Sequence, residues 1–345
     1  QGEPSMSDET VIVKISEAVA VTTKALMAVG WAEPEAALQA EIMTAAEVCG
    51  NNQGLVKMYQ PQIMAPAAGS SKPVVERETA TTAEVNAMQS PGMVALKSAV
   101  DVAIAKSSGG VSSVGVYNTS TSSGQLAYYG ALAAKAGRIV LITANSPEFV
   151  AAKPGAKATF GTNPLCFACP VQGRDPFVFD MSTAAIALFG VLTCKAKGEP
   201  LPEKSAYNAQ GEWTTDVGDI HIGGGAGAIA TMGGHKGTGL ALMIELLCAA
   251  LSGGAVLGEV DAKKTAKNWG HHIICIDPGA HVDGFAARAA SIIKTVAESH
   301  PDGVRLPGDS SSAIAKKNLE AGTLPVTKKV WDVLLETSAK AAAAA

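Results

Sequence analysis

The sequence predicts an α/β protein with a mixed sheet, flanked by helices from both ends of the chain. Three observations carry this. Short apolar runs alternate with helix-period segments from "SSVGVYN" to "HHIICIDPGA". The N-terminal third and the C-terminal end read mainly as helices. Hydrophobic residues make up 47% of the 345 and charged residues 17%, enough apolar material for a sizeable core and too much for disorder.

Taken in order, "DETVIVKISEAVAVTTKALMAVGW" has apolar residues at helical spacing, and "EPEAALQAEIMTAAEVCG" opens with Pro34 in its first turn and stops at Gly50. A Pro/Gly/Ser-rich loop, "APAAGSSKP", leads to the extended segments "PVVERETAT" and "AEVNAM", then to the helix "PGMVALKSAVDVAIAKSSGG". "SSVGVYN" reads as a strand, "GQLAYYGALAAKAG" as a helix and "RIVLITAN" as a strand. "NPLCFACP" and "PFVFDM" are short strands between breakers. "MGGHKGTGLALMIELLCAALSGG" is a glycine turn opening into a long apolar helix. "HHIICIDPGA" is a late strand followed by the helix "DGFAARAASIIKTVAESH". The segment "SSSAIAKKNLEAGTLPVTKKVWDVLLETSAK" reads as two helices split at Gly322–Pro325. No repeat of solenoid period occurs.

The net charge of -4, without basic blocks, argues against nucleic acid as the main partner, because neutralising phosphates needs clustered Lys and Arg. The apolar runs are too short and glycine-bounded to span a bilayer, and the polar opening "QGEPSMSDET" lacks a basic-then-apolar signal pattern. Six cysteines spread along the chain read as reduced thiols of a cytoplasmic compartment. "CFAC" has CxxC spacing but no second CxxC and no nearby His pair, so it reads as core packing, with no metal site expected.

The glycine-rich segments carry the chemistry. "GGHKGTG" fails the P-loop pattern because Gly237 follows Lys236, and it lacks the third glycine of the dinucleotide fingerprint. Glycines before a helix start still suit an anion, with Lys236 adding a point charge; a tight loop with a solvated lysine fits the same residues. "KPGAKATFGTNPLCFACP" places Thr162 and Asn163 in a turn before an apolar strand. "FDMSTAAIALFG" puts Asp180 at a strand end, where it either works in a cleft or caps the next helix.

In combination and in this order, "GTNPLCFACP", "PFVFDMSTAAIALFG", "KGEPLPEKSAYNAQGEWTTD", "MGGHKGTGLALMIELL" and "IDPGAHVDGF" resemble the malate/L-lactate dehydrogenase family that is distinct from the Rossmann-type enzymes. That family also holds sulfolactate and ureidoglycolate dehydrogenases, diketogulonate reductases and cyclic ketimine reductases. The likeness runs from about Val11 to Trp331. It implies a homodimer with a non-Rossmann NAD(P)-binding fold. Residues 116–299 would form the cofactor-binding α/β domain, and 1–115 with 300–345 a helical domain for substrate and dimerisation. By residue-wise carry-over, Thr162, Asn163, Asp180, Ser182, His235, Lys236 and Gly237 lie at the cofactor, NAD or NADP.

The chain departs from the family's first signature, Asp-Ser-His-Gly followed by an Arg. Its own "GNNQGLVKMY" has Gln53 where the proton-exchanging His stands and Lys57 at the Arg. A second family histidine falls within "NTSTSSGQLAYYG", where Ser122 or a neighbour replaces it. Glutamine does not exchange a proton near neutral pH. His271 and His272 flank a strand and read as structural, and His221 and His281 sit in loops.

The resemblance implies hydride transfer between nicotinamide and a small 2-oxo or 2-hydroxy acid such as malate or lactate. Lys57 would hold the substrate carboxylate, Gln53 the carbonyl oxygen, and Ser122 would complete the catalytic set. Two alternatives stand beside it. One is a cyclic ketimine carboxylate reductase, whose substrate arrives protonated. The other is a catalytically silent relative that keeps the fold as a binding protein. The apolar stretch Leu240 to Leu251 needs cover on more than one side, which also points to a dimer.

Overall fold

A computed structural model of the chain describes residues 9–51, 53–257 and 268–343. Residues 1–8 of the polar opening and the last two alanines lie outside the described residues. The elements are β1 (Thr10–Lys14), α1 (Ile15–Ala28), α2 (Glu33–Val48), β2 (Val74–Glu78), β3 (Thr82–Asn86), α3 (Gly92–Lys106), β4 (Val111–Thr119), α4 (Leu126–Lys135) and β5 (Ile139–Ala144). The chain continues with β6 (Val150–Ala151), β7 (Ala158–Phe160), β8 (Leu165–Cys169), β9 (Phe177–Met181), α5 (Leu188–Lys197), β10 (Ala206–Tyr207), β11 (Trp213–Thr214) and β12 (Ala228–Ala230). It closes with α6 (His235–Glu245), β13 (Trp269–Ile276), α7 (Phe285–Ala297), α8 (Asp309–Ala321), β14 (Thr323–Thr327) and α9 (Lys328–Ala343).

The expected mixed sheet is present. Seven strands run in the order β2-β3-β4-β13-β5-β8-β9, with β3 and β4 parallel and the other neighbours antiparallel. A second sheet, β11-β10-β12-β6-β7, is built from residues between 150 and 230. The larger sheet draws strands from both sides of residue 115, since Thr82 to Asn86 register against Ser113 to Tyr117.

Period-two alternation sorts the side chains of the central strands onto two covered faces. Val140, Ile142 and Ala144 of β5 join the main core under α3 and α4, while Leu141 packs toward Ile244 and Cys248 of the α6 segment. Central strands such as β5 are covered on both faces, which explains why they read as nearly continuous apolar runs, whereas the edge strand β2 is exposed along its length. Strand geometry also decides the CxxC pair. Residues three apart on a strand point to opposite faces, so Cys166 packs against Gly130 of α4 and Cys169 against Ala289 of α7. The two thiols cannot meet.

Three helical expectations need correction. The first helix begins only at Ile15. Thr10–Lys14 is a strand that pairs antiparallel with Thr323–Thr327, Thr10 opposite Thr327 and Lys14 opposite Thr323. The break between the last two helices at Gly322–Pro325 is therefore β14, not a simple loop. "TVIVK" and "TLPVT" are rich in β-branched residues, and a partner more than three hundred residues away overrides the helical spacing. Pro325 is tolerated because this two-stranded ribbon has only edges.

Helix α6 does not run unchanged to Ser252. It ends at Glu245 and continues as a π-helical turn, Leu246–Leu251, closed by the Ser252 hydroxyl donating to the Leu247 carbonyl at 2.8 Å. No helix among the described residues is long and apolar enough to cross a membrane.

Candidate active site

The site begins with the loop after α2. Gly54 lies against the last turn of that helix. A Cβ there would stand 2.8 Å from the Met43 carbonyl and 2.5 Å from Glu47 Oε2, so only glycine lets the loop come this close. Glu47 Oε2 accepts from the Leu55 N–H at 3.0 Å and so fixes the start of a 3-10 turn, Leu55–Tyr59. The turn brings Lys57 back over Gln53. The Lys57 ammonium donates to Gln53 Oε1 at 2.9 Å and to Ser122 Oγ at 3.0 Å. The three expected catalytic residues are thus hydrogen-bonded to one another, although Ser122 comes from the loop after β4.

That loop is itself held tightly. Gly92, at the start of α3, packs on its backbone, where a Cβ would lie 2.4 Å from the Thr121 carbonyl. The Tyr129 hydroxyl donates to the Ser123 carbonyl at 2.7 Å. Lys57, Gln53 and Ser122 are each half-buried, reachable from outside but backed by protein.

The second group of residues is stitched by the main chain. The Thr162 carbonyl accepts from the Thr183 N–H at 3.0 Å, from Ser182 Oγ at 2.9 Å and from Thr183 Oγ1 at 3.2 Å. The Met232 N–H donates to the Thr183 carbonyl, and the Gly237 N–H to the Met232 carbonyl, both at 2.9 Å. "GTNP", "DMST" and "GGHKG" therefore form one continuous hydrogen-bonded path. Gly237 is required there, since a Cβ would meet the Met232 carbonyl at 2.2 Å.

Asn163 is fully buried, and its backbone φ of 36° is one that Asn accepts more readily than most residues. Its side chain donates to Glu245 Oε1 at 2.7 Å. Glu245 also accepts from Asn145 Nδ2 at 3.3 Å, and Asn145 Oδ1 accepts from the Gly270 N–H at 2.8 Å. Asn163 thus ties its turn to α6 from inside. Burial raises the Glu245 carboxyl above its ordinary range.

Asp180 links the two groups. Its Oδ2 accepts from the Ala127 N–H at 2.8 Å, capping α4 just beyond the Ser122 loop, while Ser182 two residues on reaches Thr162. The helix it caps is α4, earlier in the chain, and not the one that follows it. Burial pushes the Asp180 carboxyl up to about 6, opposed by the backbone N–H groups of α4.

His235 and Lys236 are exposed on the first turn of α6, behind Gly233 and Gly234 at φ 55° and 62°. The amides of Lys236, Gly237 and Thr238 are already bonded to Gly233, Met232 and Gly234 carbonyls. Charge at this helix start therefore comes from side chains more than from open amides. Lys153 joins them, its Nζ 3.4 Å from where a Gly234 Cβ would stand. Gly239 faces open space, with nothing within 4 Å of a Cβ position. Cationic side chains beside a bare backbone face fit the phosphates and flat rings of a dinucleotide. Among the described residues no cluster of three His, Cys, Asp or Glu could hold a metal.

The buried histidines lie elsewhere. His272 bonds Ser252 Oγ at 2.9 Å and Ser113 Oγ at 3.0 Å, while both nitrogens of His271 lack a partner; burial pushes both rings down to about 4. His221 stacks on Phe149 in the smaller sheet's core region. Sequence reading passed over Glu47, Asn145 and Glu245. The signal was there for Glu245, a lone acid in the apolar run "GLALMIELLCAAL".

A family model described as malate/L-lactate dehydrogenase matches residues 13–335. A (2R)-3-sulfolactate dehydrogenase (NADP(+)) of Chromohalobacter salexigens is 34% identical over 56% of this chain, and the alignment spans 57% of that relative's length. A Delta(1)-pyrroline-2-carboxylate/Delta(1)-piperideine-2-carboxylate reductase of Pseudomonas putida is 35% identical over 70% of this chain and 71% of its own. Among solved structures, a delta1-piperideine-2-carboxylate reductase from Pseudomonas syringae superposes with a TM-score of 0.84 at 27% identity, covering 95% of this chain and 99% of the other.

The Glu47 carboxyl gives a pH-dependent expectation. Burial pushes it from 4.5 up to about 7, opposed by the Leu55 N–H. The folded protein then binds more protons than the unfolded chain between those values, so the group's contribution to stability falls as pH rises through that window. Glu47→Gln keeps an acceptor for Leu55 but carries no charge. It should raise stability at pH 8 by up to about 3 kcal/mol and leave it nearly unchanged at pH 4.5. Urea unfolding at both pH values checks this; an equal effect at each would refute the assignment.

Proposed function

The chain belongs to the malate/L-lactate dehydrogenase family, and on that premise we propose an NAD(P)-dependent oxidoreductase acting on a small 2-oxo acid or its 2-hydroxy counterpart. The observation that carries the reading is the Lys57 ammonium held between Gln53 and Ser122. A cation fixed by two neutral oxygens is a built receptor for a carboxylate. Lys57 grips the substrate's charged end, Gln53 hydrogen-bonds the carbonyl oxygen, and Ser122 fixes Lys57. A bound nicotinamide would supply the hydride. Thr162, Asn163, Asp180, Ser182, His235, Lys236 and Gly237 shape its seat, Asn163 and Asp180 from behind by holding α6 and α4.

We assign cofactor binding to residues 116–299, and substrate binding and dimerisation to 1–115 with 300–345, a mainly helical part that also contributes β2 and β3 to the large sheet. The substitution of Gln53 for the family's histidine favours a second reading, a protein that binds the dinucleotide without turning over. The third concerns substrate: the relative named as a Delta(1)-pyrroline-2-carboxylate/Delta(1)-piperideine-2-carboxylate reductase supports a cyclic ketimine carboxylate as the alternative. The free cysteines among the described residues support a reducing, cytoplasmic compartment.

A thermal-shift titration with NAD(H) and NADP(H), followed by oxidation of the reduced cofactor with pyruvate, oxaloacetate or a cyclic ketimine carboxylate, separates the readings. Binding with turnover is expected, and binding without turnover makes the protein a silent relative. Lys57→Ala should raise KM strongly, Lys57→Arg should be tolerated, and Gln53→Ala should slow kcat about tenfold. Wild-type kinetics in both alanine variants would move the substrate site elsewhere.

We further propose a two-fold dimer. Leu242, Leu246 and Leu251 on α6 and its π-turn are 47%, 57% and 60% exposed, an apolar face that a second copy would cover. Sedimentation at micromolar concentration should show a dimer; a monomer alone would contradict it.

A further inference from the structure

Reduction of a 2-oxo acid needs a proton as well as a hydride, and Gln53 stands where the family's proton-exchanging histidine is expected. An amide does not exchange a proton near neutral pH. Glu47, Asp180 and Tyr129, which brace the surrounding loops, face elsewhere. Glu47 Oε2 is held by the Leu55 N–H, with the Gly54 backbone packed against it. Asp180 Oδ2 is held by the Ala127 N–H at the start of α4. The Tyr129 hydroxyl gives its proton to the Ser123 carbonyl at 2.7 Å.

The loop after β4 carries hydroxyls at every position from Ser120 to Ser123. Ser120, Thr121 and Ser123 are buried, whereas Ser122 is half-buried and reachable. Its Oγ accepts from the Lys57 ammonium at 3.0 Å, and no described residue accepts the Ser122 proton.

We propose that Ser122 is the proton donor of the reduction, with the Lys57 ammonium polarising its hydroxyl. The inference rests on the reading of Lys57, Gln53 and Ser122 as the substrate site of an oxidoreductase. C2 of the oxo acid accepts the hydride, and the C=O π pair moves onto oxygen. That oxygen takes the Ser122 proton, so the product O–H bond forms as the serine O–H bond breaks. The oxo acid is reduced to the hydroxy acid and the nicotinamide is oxidised. The Ser122 alkoxide then regains a proton from solvent. In the reverse direction the same Oγ receives the proton of the 2-hydroxy acid.

Two physical features make a serine adequate here. The donor and the product hydroxyl are both aliphatic alcohols, so the proton moves between oxygens of nearly equal basicity. The ammonium 3.0 Å from Oγ then favours negative charge on the serine oxygen. Its second contact, to Gln53 Oε1 at 2.9 Å, keeps that charge in place.

Three substitutions separate proton donation from the anchoring of Lys57. Ser122→Ala removes both. Ser122→Asn keeps an oxygen for the ammonium but has no hydroxyl, and Ser122→Thr keeps the hydroxyl. Single-turnover oxidation of the reduced cofactor by pyruvate or oxaloacetate is followed in H2O and D2O. Oxalate, a planar analogue that is not reduced, is titrated into each full-length variant with reduced cofactor present, by calorimetry. The wild type should run slower in D2O, because the proton moves with the hydride. Ser122→Ala and Ser122→Asn should each slow hydride transfer about a hundredfold or more. Ser122→Thr should recover most of that rate, and Ser122→Asn should bind oxalate as the wild type does.

Recovery of the rate by Ser122→Asn makes Ser122 an anchor for Lys57 alone and overturns the proposal. So does a wild-type rate in Ser122→Ala, no recovery in Ser122→Thr, loss of oxalate binding in Ser122→Asn, or equal rates in H2O and D2O. Each of these leaves an oxidoreductase with another proton source. Reduction of a cyclic ketimine carboxylate alone, whose ring nitrogen arrives protonated, likewise removes Ser122 as donor and leaves an oxidoreductase. Oxalate binding by a wild type that reduces none of these substrates overturns the activity and the donor together.

Discussion

The Thr162 carbonyl is the point on which the site depends. Three donors from Ser182 and Thr183 converge on it. Two consequences follow. The turn before β8 and the strand end after β9 are locked together, and Thr183, held by that lock, offers its own carbonyl to Met232 at the start of the α6 turn. Each bond contributes about 1 kcal/mol on its own, but together the chained bonds tie three segments that are distant in sequence into one arrangement. A catalytic site needs that precision more than it needs stability.

Polar groups in the interior serve the same end. Glu245 sits where the apolar pattern of α6 calls for a leucine. It gathers Asn163 and Asn145 from two different strands' ends and so fixes the helix against the sheet. Asp180 does likewise for α4 and the loop carrying Ser122. Both carboxyls are raised by burial. Each desolvation is a cost in stability that holds one arrangement of the site against looser ones.

How much of this was legible depended on the range of the interaction. Strands β4, β5, β8, β9 and β13 and helices α2, α3, α4 and α7 announce themselves through local period and breakers. Thr10–Lys14 did not, because its strand character is decided by Thr323–Thr327 at the far end of the chain. Gln53, Lys57 and Ser122 were named from motif position, yet nothing in the sequence shows that Lys57 meets a serine 65 residues away. Asn163 and Asp180 were named by motif position too, but the sequence does not show that Asn163 donates to Glu245 or that Asp180 accepts from the Ala127 N–H of α4. Glu47 was invisible because a lone glutamate near a helix end usually faces water, and only Gly54 folding back against it buries its carboxyl.

The proposed function requires the stitched turns around Thr162 and the Lys57 trio to face one another across a single substrate. A crystal structure of the ternary complex with reduced cofactor and oxalate tests it most directly. The account predicts the nicotinamide ring against Thr162 and Ser182, with oxalate between its C4 and the Lys57 and Gln53 nitrogens. The reacting carbons should lie about 3–3.5 Å apart. A dinucleotide seated away from Thr162, or an oxalate that does not touch Lys57, would contradict it.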